Sequence, residues 1–273
     1  MNSSDMQVIG LCRFSYPALG GFQVEHESIA AREAFLYDPA RMEERFRTFE
    51  CLTLPPLRAQ TDPDFTFIVV IGQSLPAPMR ARLEALLADM PQALIEARAP
   101  AQHRPVMKEI ITAHRRTTGL PSLQFRMDDD DAVSIHFVER LRAAAQGMEG
   151  IIRSNRYVGI DFNQGFTARI DARGIRAKPS LETLWTPALG MAVAPRASRG
   201  ILNFSHAKLN RIMPVLSMTG EDMYIRGHNA FNDSRQKEGV RPVRLPRIDA
   251  DMAAHLKQIF DIDEDHVRAV HER

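Results

Sequence analysis

The stretch "LQFRMDDDDAVSIHF", Leu123 to Phe137, decides how this chain folds: a β-type run ends in four consecutive carboxylates, Asp128 to Asp131, and a helix-prone segment follows. Taken alone, an acidic run after a strand is a helix start or a solvated turn, because Asp side chains cap exposed amides and favour the positive end of the helix dipole. "AVSIHFVERLRAAAQ" is accordingly predicted as helix, with Asp131 at its start. Capping needs one Asp and at most a second in the first turn. Four adjacent carboxylates repel one another unless a cation or a cationic neighbour compensates. The surplus charge points to a site, with Asp128 and Asp130 converging where the chain turns.

Outward from this stretch, strand and helix signals alternate. "MQVIGLCRF" (Met6 to Phe14) and "FTFIVVIG" (Phe65 to Gly72) are predicted strands, the second apolar enough to be buried on both faces. Between them, "PARMEERFRTFECLTLPPLRAQ" places Met42, Phe46 and Phe49 at helical spacing, with Asp38 and Pro39 as cap and first-turn residues; a break is expected near Pro55 and Pro56. "LPAPMRARLEALLADM" and "RPVMKEIITAHRRTT" are predicted helices and "QALIEAR" a short strand. This alternation implies crossover units and a mostly parallel sheet covered on both faces, with the ligand crevice at the carboxyl ends of the strands.

After about Gly150 the pattern changes. "GIIRSNRYVGIDFNQGFTARIDARGIRAKPS" has β-type runs broken by turn residues, which predicts antiparallel strands or hairpins and a mixed topology. A loop-rich stretch with Pro179, Trp185, Pro187 and "LGMAVAP" follows, then a short helix at "HAKLNRIM", a polar segment from Ser217 to Pro242 and a last helix at "DADMAAHLKQIFD". Without repeats or a clear linker, the chain is read as one compact α/β fold in two halves, residues 1–150 and 151–273.

Composition limits the alternatives. The 273 residues are 44% hydrophobic and 25% charged, enough for a substantial core. Lys plus Arg (35) nearly balance Asp plus Glu (34), so no global field draws in nucleic acid or acidic lipid, and only local patches are left open. Cys12 and Cys51 lack metal-like spacing and are expected to be buried, reduced thiols. No run approaches a membrane span and the start lacks signal-peptide character. A cytoplasmic location is expected, with peripheral contact at the inner face of a membrane left open.

A D-x-D-D at a strand end suits Mg²⁺ or Mn²⁺, which take a few carboxylates together with nucleotide phosphate oxygens and water. An EF-hand is excluded by the missing central Gly. Together, "LPPLRAQTDPDFTFIVVIG" and "LQFRMDDDDAVSIHFVERLR" resemble the GT-A glycosyltransferases, in which a Q-T-x-x-D-F turn precedes the second strand and a later D-x-D binds metal and sugar nucleotide. Among these the chain most resembles the rhamnosyltransferase family of bacterial polysaccharide biosynthesis, from about Gln7 through "RGHNAFNDS".

The resemblance implies a GT-A-like mixed sheet flanked by helices and a metal-dependent transfer of a sugar, rhamnose by the family name, from a nucleotide-sugar such as dTDP-rhamnose to a glycan or glycolipid acceptor, inversion being favoured. It implies Asp128 as a ribose or metal contact, Asp130 as principal metal ligand, Asp131 as a supporting carboxylate and Asp129 as the variable position. His228 in "YIRGHNAFNDSR" becomes a further metal or diphosphate ligand. Arg126, Arg226 and Arg235 become phosphate contacts, since guanidinium matches phosphate oxygens in pairs. Arg13 and Tyr16, at the end of the first strand, are placed to meet the nucleotide. Asp222, then Glu221, is the expected general base, with Asp161 as an outside choice.

Each assignment has a plainer reading: Gly-Glu-Asp is also a common helix start, Arg126 also an edge residue neutralising the acidic turn, and Trp185, a candidate for stacking on sugar, also a core residue. The basic clusters His114 to Arg116 and His206, Lys208, Arg211 are either solvated faces or contacts to an anionic acceptor or headgroup. A nucleotidyltransferase or phosphoester enzyme would also use adjacent aspartates, but needs a basic Gly-rich loop or a nucleophilic D-x-D after the first strand, where "CRFSYPALGG" stands. A sugar-nucleotide or glycan binding protein without catalysis is the third alternative.

Overall fold

The computed structural model describes residues 5–20, 26–228 and 244–273. Strand β1 (Val8–Arg13) pairs in parallel with β2 (Phe65–Gly72) on one side and β4 (Ser122–Asp128) on the other, and β2 pairs in parallel with β3 (Ala93–Arg98). Helices α4 (Ala77–Leu87) and α5 (His103–Ala113) make the crossovers on either side of β3. On α5, Val106, Met107, Ile110 and Ile111 form the buried stripe that helical periodicity requires.

β5 (Ala132–Val133) follows the aspartates, and α6 (Phe137–Gly147) and α7 (Glu149–Ser154) precede β6 (Tyr157–Phe162). Next come a hairpin of β7 (Gln164–Asp171) and β8 (Gly174–Leu181), then β9 (Leu189–Val193), β10 (Val215–Met218) and β11 (Tyr224–Gly227). The seven-stranded sheet has the order β10-β6-β9-β4-β1-β2-β3, and β9 alone in it runs against its neighbours. A second sheet, β5-β11-β7-β8, lies under the last two helices, α8 (Ala250–Phe260) and α9 (Glu264–Glu272), around Phe166, Ile225, Phe260 and Val267. The mixed α/β sheet flanked by helices is thus the predicted architecture. Both sheets draw strands from both halves of the chain.

The structure departs from the sequence reading at definable points. The helix after the aspartates starts at Phe137, with His136 at its cap, because Ala132 and Val133 pair with Ile225 and Tyr224 and so hold the chain extended past Asp131. The helix from Pro39 does not break at Pro55 and Pro56. α2 (Pro39–Thr48) passes through a π turn (Phe49–Thr53) into α3 (Leu54–Arg58), and the wider turn relieves the carbonyl clash that those prolines would otherwise cause. Strand β11 belongs to a polar stretch, strand β9 to one read as loop, and helix α9 buries only Val267 and Val270, too few apolar residues to mark it out in a charged segment. The two cysteines are free and buried, as expected, and no helix among the described residues is long and apolar enough to cross a membrane.

The "QTDPDF" turn proves to be a brace. Buried Gln60 donates to the carbonyls of Pro56 and Ser134 and accepts from the amide of Val138, so its side chain satisfies an orphan donor in the first turn of α6. Asp62 and Asp64 both pair with buried Arg142 of the same helix. The turn therefore clamps α6 beside β2 and leaves the ligand cleft to other residues. Gln60→Ala removes three hydrogen bonds at a buried place and should cost about 1–3 kcal/mol of unfolding free energy. Urea denaturation of the two proteins measures it.

Candidate functional site

The carboxyl ends of β1 and β4 open into a cleft of about 410 Å³, where the chain leaves β1 toward one edge of the sheet and leaves β4 toward the other. Arg13, Ser15 and Tyr16 line it from the β1 side, and Arg126 through Asp131 from the β4 side. Its walls are Arg41 and Arg45 of α2, His103 at the start of α5, Trp185 and Thr186 before β9, Leu202 and His206 of two 3₁₀ turns, and Arg226 and Gly227 at the end of β11. Five guanidinium groups therefore meet four aspartates around one concavity.

The aspartates differ in what they touch. Asp128 is half exposed; Arg13 Nη2 donates to its Oδ1 at 2.9 Å. Burial alone would raise its pKa, but the charge and hydrogen bond of Arg13, with Arg126 and Arg226 beyond, hold it down at about 2. Asp129 turns the other way, its Oδ1 2.6 Å from Arg45 Nη1, while its carbonyl accepts from Thr53. Burial pushes this carboxyl up to about 7, Arg45 opposing and Asp130 adding repulsion. Asp129, read as a variable position, is instead a buried anchor. Asp130 Oδ2 lies 3.2 Å from the same Arg45 nitrogen. Asp131 accepts from the Gly227 amide at 3.1 Å, and burial together with the charge of Asp130 drives its pKa well above the carboxylate range. It does not cap α6; it ties the aspartate turn to β11. Gly227 is required there, since a Cβ would collide with the Asp130 carbonyl oxygen.

The cations divide likewise. Arg41 donates to Ser15 Oγ and the Leu36 carbonyl, which holds Ser15 at φ 49°. Arg13 Nη1 lies 3.3 Å from His103 Nε2; burial, with Arg13 and Arg126 adding to it, lowers the His103 pKa to about 3, so the imidazole is neutral and accepts. Arg126 makes no hydrogen bond among the described residues; burial lowers its pKa to about 10, still far above neutrality. Arg226 lies over the Trp185 ring at 5.0 Å, a cation–π contact that fixes one wall of the cleft. Arg126 and Arg226 are the guanidinium groups best placed to take new oxygen ligands.

That wall is itself held under strain. Leu184, just before Trp185, sits at φ 60°, its amide donating to Asp161 Oδ1 at 3.0 Å and its carbonyl accepting from His206 Nδ1 at 2.6 Å. Asp161 is fully buried and also accepts from Ser217, so it serves as a brace, with burial raising its pKa. Burial lowers the pKa of His206, which leaves a neutral ring whose Nδ1 proton is committed to the carbonyl and whose Nε2 is the acceptor.

Of the predicted site residues, the cleft brings together Arg13, Tyr16, Arg126, Asp128, Asp130, Asp131 and Arg226. Tyr16 lines it with its ring only, its hydroxyl being donated to the Ala99 carbonyl. Asp222 and Glu221 are not among the lining residues. They precede β11, whereas the cleft meets that strand at its other end, roughly 15 Å away at strand rise. There Asp222 is held by Gln164 and His255, and Glu221 pairs with Arg140. His228 follows the cleft-lining Gly227, but its amide donates to Ala168 and it does not itself line the cleft. Arg235 lies outside the described residues. Sequence reasoning missed Arg41, Arg45 and His103. The arginines had a signal, since their spacing of four puts them on one helix face, each just before one of the buried residues Met42 and Phe46.

A divalent cation is the ligand the resemblance implies. Among the described residues no three His, Cys, Asp or Glu side chains converge to hold one, and the four-residue set of Asp128, Asp130, Asp131 and His228 does not assemble. Ionised Asp128 and the cleft-lining Asp130 fit a smaller requirement, since Mg²⁺ and Mn²⁺ accept one or two carboxylates completed by phosphate oxygens and water.

The arrangement gathers five guanidinium groups and four carboxylates where the strand order reverses in an α/β sheet. The family model described as "Putative rhamnosyl transferase" matches residues 7–241, and the chain belongs to that family. A search of curated protein sequences found no match. Among solved structures, S. aureus TarS 1–349 in complex with UDP-GlcNAc is similar over 97% of this chain and 70% of that one, at 11% identity and a TM-score of 0.44. A second structure of TarS 1–349 is similar over 81% of this chain and 60% of that one, at 9% identity and 0.43. For 4-diphosphocytidyl-2C-methyl-D-erythritol synthase from Anaerococcus prevotii the values are 79%, 90%, 11% and 0.33. The chain thus spans about 60–70% of those TarS chains, and likenesses this distant assign neither donor nor acceptor.

Arg45→Met leaves Asp129 and Asp130 buried without their cation and should destabilise the protein by about 3–5 kcal/mol. The sign with pH follows from Asp129: its folded pKa is raised, so protonation favours the folded state, and that contribution is lost as pH rises through about 7. The loss on substitution should therefore be larger at pH 8 than at pH 5, measured by denaturant unfolding with a chelator present.

Proposed function

We propose that the protein is a glycosyltransferase that moves a sugar from a nucleoside-diphosphate donor to a hydroxyl of a glycan or glycolipid acceptor. The observation that carries this reading is the floor of the cleft, where ionised Asp128 stands among Arg13, Arg126 and Arg226. Such a floor suits a diphosphate: guanidinium groups match its oxygens, and the carboxylate offers a hold on ribose or cation. Asp128 and Asp130 would hold a divalent cation, and such an ion would supply positive charge against the departing diphosphate. The family description supports rhamnose as the sugar, and with it a donor of the dTDP-rhamnose type.

In the transfer, the bond from the anomeric carbon to the diphosphate oxygen breaks while the acceptor oxygen bonds to that carbon, and the acceptor proton passes to a base. A single displacement with inversion is favoured because Arg45 and the Gly227 amide engage Asp129 and Asp131, while Asp128 and Asp130 are the pair that would hold the cation. That leaves none as a free nucleophile for a covalent intermediate. The proton falls to His206 Nε2, since the imidazole is neutral, fixed in one tautomer and in the cleft wall, whereas Asp222 and Glu221 stand elsewhere.

Thermal-shift titration with UDP, dTDP and GDP, with and without Mn²⁺, tests the donor site. One of these should stabilise the wild type, and Asp128→Asn or Arg226→Met should each weaken its binding about 10- to 100-fold. If no nucleoside diphosphate stabilises the wild type, the reading fails. His206→Asn should leave nucleotide affinity unchanged and lower turnover by about 10²–10⁴-fold. Because its pKa is lowered, wild-type turnover should persist on the acid side of neutrality and fall only as the pH drops below the ordinary histidine value.

A further inference from the structure

From Thr183 to Gly220 the chain contains no Asp or Glu, yet carries Arg196, Arg199, Lys208 and Arg211, all exposed. Arg156, also exposed, precedes β6. Among the described residues none of these five has a carboxylate within ion-pair distance. Most other exposed arginines contrast with them: Arg116, Arg140, Arg153 and Arg173 each have an acidic partner. The neighbouring basic cluster is also spoken for, with His114 on Glu96 and Arg115 on the carbonyls of Ala194 and Ala197.

Arg156, Arg196 and Arg199 gather where β6 begins and β9 ends, and Lys208 and Arg211 lie on the segment that leads into β10 beside β6. Ala194 donates to the Arg156 carbonyl, and the Arg199 amide donates to the Tyr157 hydroxyl. Tyr157 packs edge-on against Phe204 at 5.0 Å, over which the Arg199 guanidinium lies at 5.9 Å. Gly159, next along β6, donates to the carbonyl of Pro214 at the start of edge strand β10. Arg115, by gripping two carbonyls of the 194–197 turn, fixes the loop that presents Arg196 and Arg199. Within the same margin two large apolar side chains face solvent, Ile212 (56% exposed) and Leu216 (37%), flanked by Lys208 and Arg211.

We infer that this margin, Arg156, Arg196, Arg199, Lys208 and Arg211 around Ile212 and Leu216, docks on the surface of an anionic lipid bilayer. A bilayer offers what both sets of side chains need: a plane of negative headgroups for unpaired cations, and an apolar layer just beneath for Ile212 and Leu216. A soluble polyanion would satisfy the cations alone. Arg156 and the 194–199 turn stand at the end of β4 away from the aspartates, and the same segment then runs to the cleft at Leu202 and His206, which joins the docked margin to the cleft wall.

Flotation of the full chain with vesicles tests this, comparing phosphatidylcholine alone with phosphatidylcholine containing phosphatidylglycerol. The protein should float only with the anionic vesicles and should be released at molar salt. Each cation removed should lower partitioning about five-fold, so Lys208→Gln with Arg211→Gln should lower it about 25-fold. Ile212→Ser should weaken it further while leaving charge unchanged. Unaltered thermal unfolding and nucleotide response would show that these variants fold, and would separate failure here from failure of the proposed activity. Equal flotation with both vesicle types, or anionic binding untouched by the variants, overturns the inference. Binding of soluble polyphosphate with no flotation, or concentration-dependent dimerisation lost with Leu216→Ser and no flotation, also overturns it, in favour of a soluble anion or a second copy.

Discussion

Arg45 stands between Asp129 and Asp130 where little water reaches, and the cleft is built around that contact. Two adjacent buried carboxylates cannot both ionise without a cation, and this cation comes from a helix that belongs to the other side of the site. The bond therefore does more than balance charge. It draws α2 against the turn that leaves β4 and aims Asp129 inward, which frees Asp128, one residue earlier, to point into the cleft beside Arg13. Removing one partner of such a pair costs much more than the pair's net contribution, because the remaining charge is stranded.

The same constraint explains how one run of identical residues divides its work. Successive side chains of an extended segment point to opposite sides, so Asp128 and Asp129 are separated by geometry. β5 then pairs with β11, which places Asp131 against the Gly227 amide and brings Arg226 over the cleft. A turn that looked over-charged in isolation is thus compensated from three directions: Arg13 on the neighbouring strand, Arg45 on a helix, and a backbone amide near the end of the fold.

Much of this was legible in the sequence where the signal is local. The apolar runs of β1, β2 and β4, the stripe of α5 and the Asp38 cap of α2 all follow from periodicity and capping chemistry, and the position of Asp128 at a strand end follows from them. What was not legible is long-range. That helix α6 begins at Phe137 depends on β11, nearly a hundred residues later, holding Ala132 and Val133 extended. That Asp222 faces His255 and Gln164 depends on the direction of β11, which a four-residue strand in a polar stretch does not announce. Gln60 carried a strong motif signal whose meaning was structural: the turn secures a helix and only indirectly the ligand.

The place of β9 in the large sheet has a consequence for how the molecule is made. β9 covers the edge of β4, yet it is synthesised well after it, behind α6, α7, β6 and the β7–β8 hairpin. While the chain emerges from the ribosome, the parallel unit of β1 to β4 is complete in sequence but has an open hydrogen-bonding edge beside the aspartates. β6 and β10 cannot join before β9 does, because it alone connects them to the rest of the sheet. Assembly thus waits on one five-residue strand, and the growing chain has an exposed sheet edge, the form most prone to pairing with a wrong neighbour, until that strand arrives.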